Sequence, residues 1–325
     1  MFRILKWVVP LLLLSACDEK VSAPEDVVTS YPPSNVAMEL TKVTEHIYYA
    51  QGAAGMATDN EGFISNAGVI ITDAGVVLFD ALGTPSLAKK LLDKIREVTD
   101  KPIVKVIVSH YHADHIYGLQ VFKEQGAEII APLASLDYIN SDAAKERLEE
   151  RRFSLEPWVN ETTEIVGPDQ LLSESRSFTL GNINFEISMI GSAHSEGDLT
   201  LYVEPDRVLF SGDIIFEGRV PFLGDANTKT WMTALQKMET SRLAALIPGH
   251  GPAASDPNKA LKATLDYLQF IRQNMGQAAR DFTPFAEAYE ATDWSQYKNV
   301  PAFEATNRRN AYQVFLSMEA EMGEE

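Results

Sequence analysis

Ile103-Val104-Lys105-Val106-Ile107-Val108-Ser109-His110-Tyr111-His112-Ala113-Asp114-His115 is the stretch on which the reading of this chain turns. Its first half is a nearly continuous apolar run, as expected of a strand buried on both faces of a sheet. Its second half places three of the six histidines within six residues. In extended backbone, residues two apart point the same way, so His110 and His112 can grip one metal ion. Asp114 and His115 lie further on, where a loop meets a helix beginning near His115, and can face a second ion. A run of ordinary surface histidines would not follow a buried strand.

Three more metal-capable side chains stand at the ends of apolar runs. His194 lies in Gly191-Ser192-Ala193-His194-Ser195-Glu196-Gly197-Asp198, after a strand ending near Ile190. Asp213 follows Val208-Leu209-Phe210-Ser211-Gly212, and His250 follows Leu246-Ile247-Pro248-Gly249. The nearby glycines let the backbone come close. Singly, each residue reads as a cap or a core group. Together with the first cluster they form a metal-binding set. Imidazole and carboxylate without thiolate suit Zn²⁺, and iron or manganese would also accept them.

Around these residues strand and helix alternate. His46 to Gln51, Phe63 to Thr72 and Val76 to Ala81 read as strands, the last two joined at Asp73-Ala74-Gly75. Thr84-Pro85 caps a helix whose Leu87, Leu91, Leu92 and Ile95 form one stripe. Strands near 178 to 190, 199 to 205 and 206 to 212 follow, then a helix from Thr228 and a strand from Ala244 to Ile247. The pattern predicts an α/β fold of two sheets packed face to face and covered by helices. Ser135 to Leu155 reads as a charged helix between the halves. Residues 257 to 325 read as helical throughout, with Phe303, Asn307, Asn310, Ala311, Val314, Phe315 and Met318 on a face that packs onto the body.

The ordered set HxHxDH, His, Asp, His resembles the metallo-β-lactamase fold superfamily, over about residues 45 to 255. That resemblance implies an αββα sandwich with metals at one sheet edge. It implies that His110, His112 and His194 hold one metal, that Asp114, His115 and His250 hold a second, and that Asp213 bridges them. Asp213 at the bridging position is similar to binuclear hydrolases such as glyoxalase II, lactonases and alkylsulfatases, so antibiotic hydrolysis is not the favoured reading. The implied activity is a zinc-dependent hydrolase with two zinc ions, in which a bridging hydroxide cleaves an ester, thioester, lactone or related bond. Asp114 is the candidate catalytic residue that orients the nucleophile and shuttles its proton. Asp80 resembles the family's aspartate that orients a ligand, and also reads as a strand-end cap; His46 reads as structural. Two rivals remain: a mononuclear iron persulfide dioxygenase of the same fold, and a non-catalytic periplasmic accessory protein that only holds metal. A complete set of seven ligands argues against the second.

The chain has 325 residues and a formal charge of −18. Such a surface repels phosphate backbones, and Arg151-Arg152 is interleaved with glutamates, so nucleic acid is excluded as a partner. Cys17 is the one cysteine, which rules out an internal disulfide and a thiolate zinc cluster. Arg3 and Lys6, then the apolar Trp7 to Leu14, then Leu14-Ser15-Ala16-Cys17, describe an export signal that resembles the bacterial lipobox. The apolar run is too short to span a bilayer. Asp18 resembles an inner-membrane retention signal. The expected organisation is a lipoprotein signal peptide at 1–16, a polar tether at 17–37, a metallo-hydrolase domain at 38–256 and a C-terminal helical extension at 257–325. The expected location is the cell envelope, anchored by lipidated Cys17 at the periplasmic face of the inner membrane, with a small molecule as substrate. Loops Gly52 to Gly62, Pro157-Trp158 and Arg219 to Asn227 are candidate pocket walls, with Arg219 a cation for an anionic group.

Overall fold

A computed structural model of the chain describes residues 31–323. The signal segment, Cys17 and the tether before Tyr31 lie outside the described residues. Residues 31–37, the last of the stretch read as a tether, run along the domain. The Tyr31 hydroxyl donates to Glu124, and Ser34 donates to Glu61, both at 2.7 Å.

The first sheet holds seven strands in chain order: β1 (Leu40–Lys42), β2 (Ile47–Ala50), β3 (Ala67–Thr72), β4 (Gly75–Phe79), β5 (Ile103–Ile107), β6 (Glu128–Pro132) and β7 (Gln170–Leu172). The first four pair antiparallel and the rest parallel. The second sheet contains β8 (Arg176–Leu180), β9 (Ile183–Gly191), β10 (Asp198–Glu204), β11 (Val208–Gly212) and β12 (Ala245–Pro248), in the order β12-β11-β10-β9-β8. Its pairs are antiparallel except β11 with β12. Ile47, Ile70, Val77, Phe79, Ile107 and Ile130 of the first sheet meet Phe185, Leu199, Leu201 and Phe210 of the second in one buried layer. Alternate residues of each strand supply this layer and the outer faces carry helices.

Helices α1 (Pro85–Arg96), α2 (Ala113–Ile116) and α3 (Leu119–Glu124) are part of the layer on the first sheet. α1 begins as its sequence requires: Thr84 Oγ1 accepts from Leu87 N at 3.1 Å, and Pro85 occupies the first turn. The segment after β6 is two helices rather than one, α4 (Ser135–Ile139) and α5 (Asp142–Ser154), because Ser141 caps a new start by accepting from Ala144 N. On the second sheet lie α6 (Thr228–Lys237), α7 (Pro257–Arg280), α8 (Phe285–Ala291) and α9 (Phe303–Gly323). The C-terminal region is therefore broken twice, at Pro284 and over 292–302, where residues such as Pro301 do not continue a helix. The architecture is αββα.

The predicted face of α9 is buried from Phe303 to Phe315, with Met318 partly so. Its two asparagines do more than pack. Asn310, fully buried, donates to Pro221 O at 2.7 Å and accepts from Leu223 N at 3.0 Å. Its other amide hydrogen goes to the Tyr267 hydroxyl at 2.9 Å, which in turn donates to Asn307 at 2.8 Å. Val220 N donates to Pro301 O at 2.9 Å. The loop after β11 is thus held through its backbone by the Asn310 side chain and by the carbonyl of Pro301.

Candidate metal centre

The metal-capable residues sit where strands end and loops begin. His110 and His112 follow β5, His112 is the N-cap of α2, and Asp114 and His115 lie within its single turn. His194 lies between β9 and β10, Asp213 directly follows β11, and His250 follows β12. Gly249 makes the last approach possible: a Cβ there would stand 2.1 Å from Asp213 Oδ1.

All seven side chains converge. His110, His112 and His194 form one group able to hold a metal ion, and Asp114, His115 and His250 form another. His110, His115 and Asp213 form a third that shares a member with each; within every group the ligand atoms lie within 4.8 Å of one another. Asp213 Oδ2 is 3.3 Å from His194 Nε2 and 3.2 Å from His250 Nε2, so one oxygen reaches toward both of the first two groups. Its Oδ1 is 3.5 Å from His115 Nε2, and Asp114 Oδ2 is 3.2 Å from His250 Nε2.

Outer hydrogen bonds fix which nitrogen of His110, His115 and His250 faces inward. Ser109 Oγ donates to Asp80 at 2.8 Å, so it accepts from His110 Nδ1 at 2.9 Å. His115 Nδ1 donates to Asp80 Oδ2 at 2.9 Å, and His250 Nδ1 donates to Ile64 O at 2.6 Å. Asp80 also accepts from Ser109 N at 2.7 Å and has φ +65, a left-handed turn that Asp tolerates. It therefore orients two of the rings. Asn66 steadies the loop of His250 by donating to Pro248 O and Gly251 O, each at 2.8 Å. The Phe216 ring lies parallel to His250, centroids 5.7 Å apart.

The inward atoms fit a divalent cation. His110 Nε2, His115 Nε2 and Asp213 Oδ1 are buried without a hydrogen-bond partner, a condition that a folded protein rarely leaves uncompensated. Burial drives His110 well below the ordinary imidazole range, lowers His112, and takes His194 down to about 3. These three rings are neutral at pH 7, the state in which imidazole ligates metal. Burial also opposes charge on His115, but Asp114, Asp80 and Asp213 outweigh it and push that ring up to about 10. For Asp213, burial is outweighed by His250, His115 and His194, and the carboxyl stays well below its usual range.

A cavity of about 270 Å³ opens beside His112 and His194. Its wall comes from α4 and from the turn at Ser195 to Gly197, which Asp198 pins by accepting from Ser195 N and Oγ at 2.9 and 2.8 Å. Of the loops singled out in the sequence, only the third contributes, through Asp225. Arg219 is 8% exposed, with Nη1 3.4 Å from His250 Nδ1, and does not line this cavity. His46 pairs with Asp206 at 2.8 Å in the turns at β2 and β10, consistent with a structural role. Sequence reasoning missed Ser109, Phe216, Asn66 and α4. Ser109, directly before His110, carried a readable signal as a hydroxyl at a strand end; the others act through contacts across distant segments.

Two stacked sheets between helical layers, with imidazoles and carboxylates gathered at the strand ends, define a metal-binding αββα protein. The family model described as the metallo-beta-lactamase superfamily matches residues 60–250, more than half of the chain, and the chain belongs to that family. Among curated proteins it is similar to a type 2 metallo-beta-lactamase of Bacillus sp. (strain 170), 24% identical over 216 residues, covering 65% of this chain and 75% of that one. Among solved structures, a metallo-beta-lactamase from Pontibacter korlensis aligns at TM-score 0.58 and 20% identity, over 72% of this chain and 99% of that one. The inverting sec-alkylsulfatase Pisa1 from Pseudomonas sp. aligns at TM-score 0.62 and 17% identity, over 86% of this chain and 50% of that one. These relatives are hydrolases of one superfamily, and the structural likenesses speak for the fold.

Proposed function

We propose that the chain is a zinc-dependent hydrolase with two metal ions, cleaving an ester, thioester, lactone or related bond of a small molecule. The observation that carries this reading is the convergence of seven imidazole and carboxylate side chains with buried, unpartnered atoms facing inward. In this reading His110, His112 and His194 hold one ion, Asp114, His115 and His250 the other, and Asp213 lies between. Bound there, a zinc pair supplies Lewis acidity and makes water a nucleophile at neutral pH.

The chain's own residues do the remaining work. Asp114, whose side chain is 20% exposed, accepts the proton of the attacking water and returns it to the leaving group. Ser109 and Asp80 take hydrogen bonds from the outer nitrogens of His110 and His115, which aims the opposite nitrogens at the metal positions. Phe216 and Trp231, the latter edge-on to His194 at 5.4 Å, shield the rings from bulk water. Attachment to the periplasmic face of the inner membrane through lipidated Cys17 belongs to the same proposal, and rests on Leu14-Ser15-Ala16-Cys17-Asp18.

Elemental analysis with a panel of esters, thioesters, lactones and β-lactams tests it. Two zinc ions per chain and turnover abolished by chelator are the expected results. One iron per chain with oxygen uptake on persulfide would replace the hydrolase by the dioxygenase. Metal-loaded protein that turns over nothing would leave a metal-holding accessory protein.

A further inference from the structure

The cavity beside His112 and His194 has an uneven chemistry. Tyr111 and Tyr138 give it aromatic walls, and Tyr111 is fixed by donating its hydroxyl to Val166 O at 2.8 Å. Ser135 lines it with a side chain that is 4% exposed and a hydroxyl that has no partner among the described residues. That hydroxyl is a donor left without an acceptor in the wall of the cavity. The charged side chains other than histidine that line the cavity are Asp137, Glu196 and Asp225. All three are exposed and none forms an ion pair among the described residues. No lysine or arginine lines the space, and Arg219 is turned to His250.

From this arrangement we propose that the substrate is a small acyl compound bearing a cationic group, an ammonium ester or thioester, selected by Asp137, Glu196 and Asp225 over its neutral and anionic counterparts. The inference rests on the hydrolase reading for its reaction but not for its charge preference. With cations bound at the metal centre, the exposed carboxylates that line the cavity would make the site a dipole, positive toward the histidines and negative toward solvent. A molecule with an electron-rich carbonyl at one end and an ammonium at the other matches it end to end. The two tyrosines add aromatic faces of the kind that hold quaternary ammonium groups. A carboxylate or sulfate in the same place meets three like charges.

Three matched thioesters read the preference on the zinc-loaded full chain: acetylthiocholine, its neutral isostere S-(3,3-dimethylbutyl) thioacetate, and anionic S-acetyl-3-mercaptopropionate. The expected order of kcat/KM is cation over neutral over anion, at least tenfold for each step, carried in KM and reduced by salt. In the double variant Glu196→Gln, Asp225→Asn the cation-to-neutral ratio falls toward one while metal content is unchanged. A neutral ester that matches or exceeds the cation in wild type, or a ratio that survives in the variant, overturns the proposal. If none of the three is hydrolysed, the hydrolase reading fails for this bond. Charge selection is then read by calorimetric titration of the same protein with choline and with 3,3-dimethylbutanol. Choline binding at least tenfold tighter sustains the proposal, and equal or weaker binding overturns it.

Discussion

Asp80 and His115 are joined by a 2.9 Å hydrogen bond from Nδ1 to Oδ2, in a place where both side chains are almost wholly buried. The same carboxylate takes the amide and the hydroxyl of Ser109. It thereby governs rings assigned to both metal groups. Asp80→Ala frees His115 to rotate and leaves the Ser109 amide without its acceptor. Loss of such an outer partner weakens metal binding roughly 10- to 100-fold. Competition with a chelator of known affinity measures it, and unchanged affinity would reduce Asp80 to a strand-end cap.

The charge on His115 gives metal removal a pH signature. Its folded-state pKa, pushed up to about 10 by Asp114, Asp80 and Asp213 against burial, exceeds the ordinary imidazole value. A raised pKa contributes stability that is complete below the unfolded value and disappears as pH rises through the folded one. Chelated protein is therefore expected to lose Tm between pH 7 and 10, and His115→Gln to lose less over that window. Thermal melts of the two proteins across the range decide it. Parallel curves would show that His115 does not carry the charge.

In the two-metal reading Asp213 supplies the negative charge between the metal groups. Asp213→Asn keeps the shape of the side chain and removes its negative charge, so two dications would face each other with less between them. Metal content is expected to fall below wild type, and the alkaline side of the pH–rate profile to move upward. Unchanged stoichiometry together with unchanged turnover would remove Asp213 from the centre.

Location has its own test. Cys17→Ser is expected to release or mis-process the protein while leaving the fold untouched, because the domain from Tyr31 onward forms one compact unit. Fractionation of cells expressing each form is the measurement. A serine variant found in membranes and processed as before would end the lipoprotein reading.

The metal residues were legible because their spacing is tied to strand geometry. His110 and His112 share a side only in extended chain, and His194, Asp213 and His250 each follow an apolar run that stops at a sheet edge. Thr84-Pro85 announced α1 for an equally local reason. The cavity was not legible. α4 looked like part of a charged surface helix, since Asp137 and Tyr138 carry no periodic signal of burial, and only the packing of that segment beside His194 gives them a role. Phe216 against His250 is a contact between residues far apart in sequence, which no local pattern encodes. β6 and β7 escaped notice because they are short and their pairing partners lie elsewhere in the chain.

Asn310 uses both amide hydrogens and its oxygen to bind Pro221, Tyr267 and Leu223. Peeling α9 away would strand the carbonyl of Pro221 and the amide of Leu223 a few residues before Asp225. Local unfolding of the last described helix is therefore expected to loosen the segment that carries Asp225, although the family match stops at residue 250. Amide exchange in α9 reports on a site to which the helix contributes no ligand. A protease that catches that helix open is expected to disturb the cavity wall while leaving the metal groups intact.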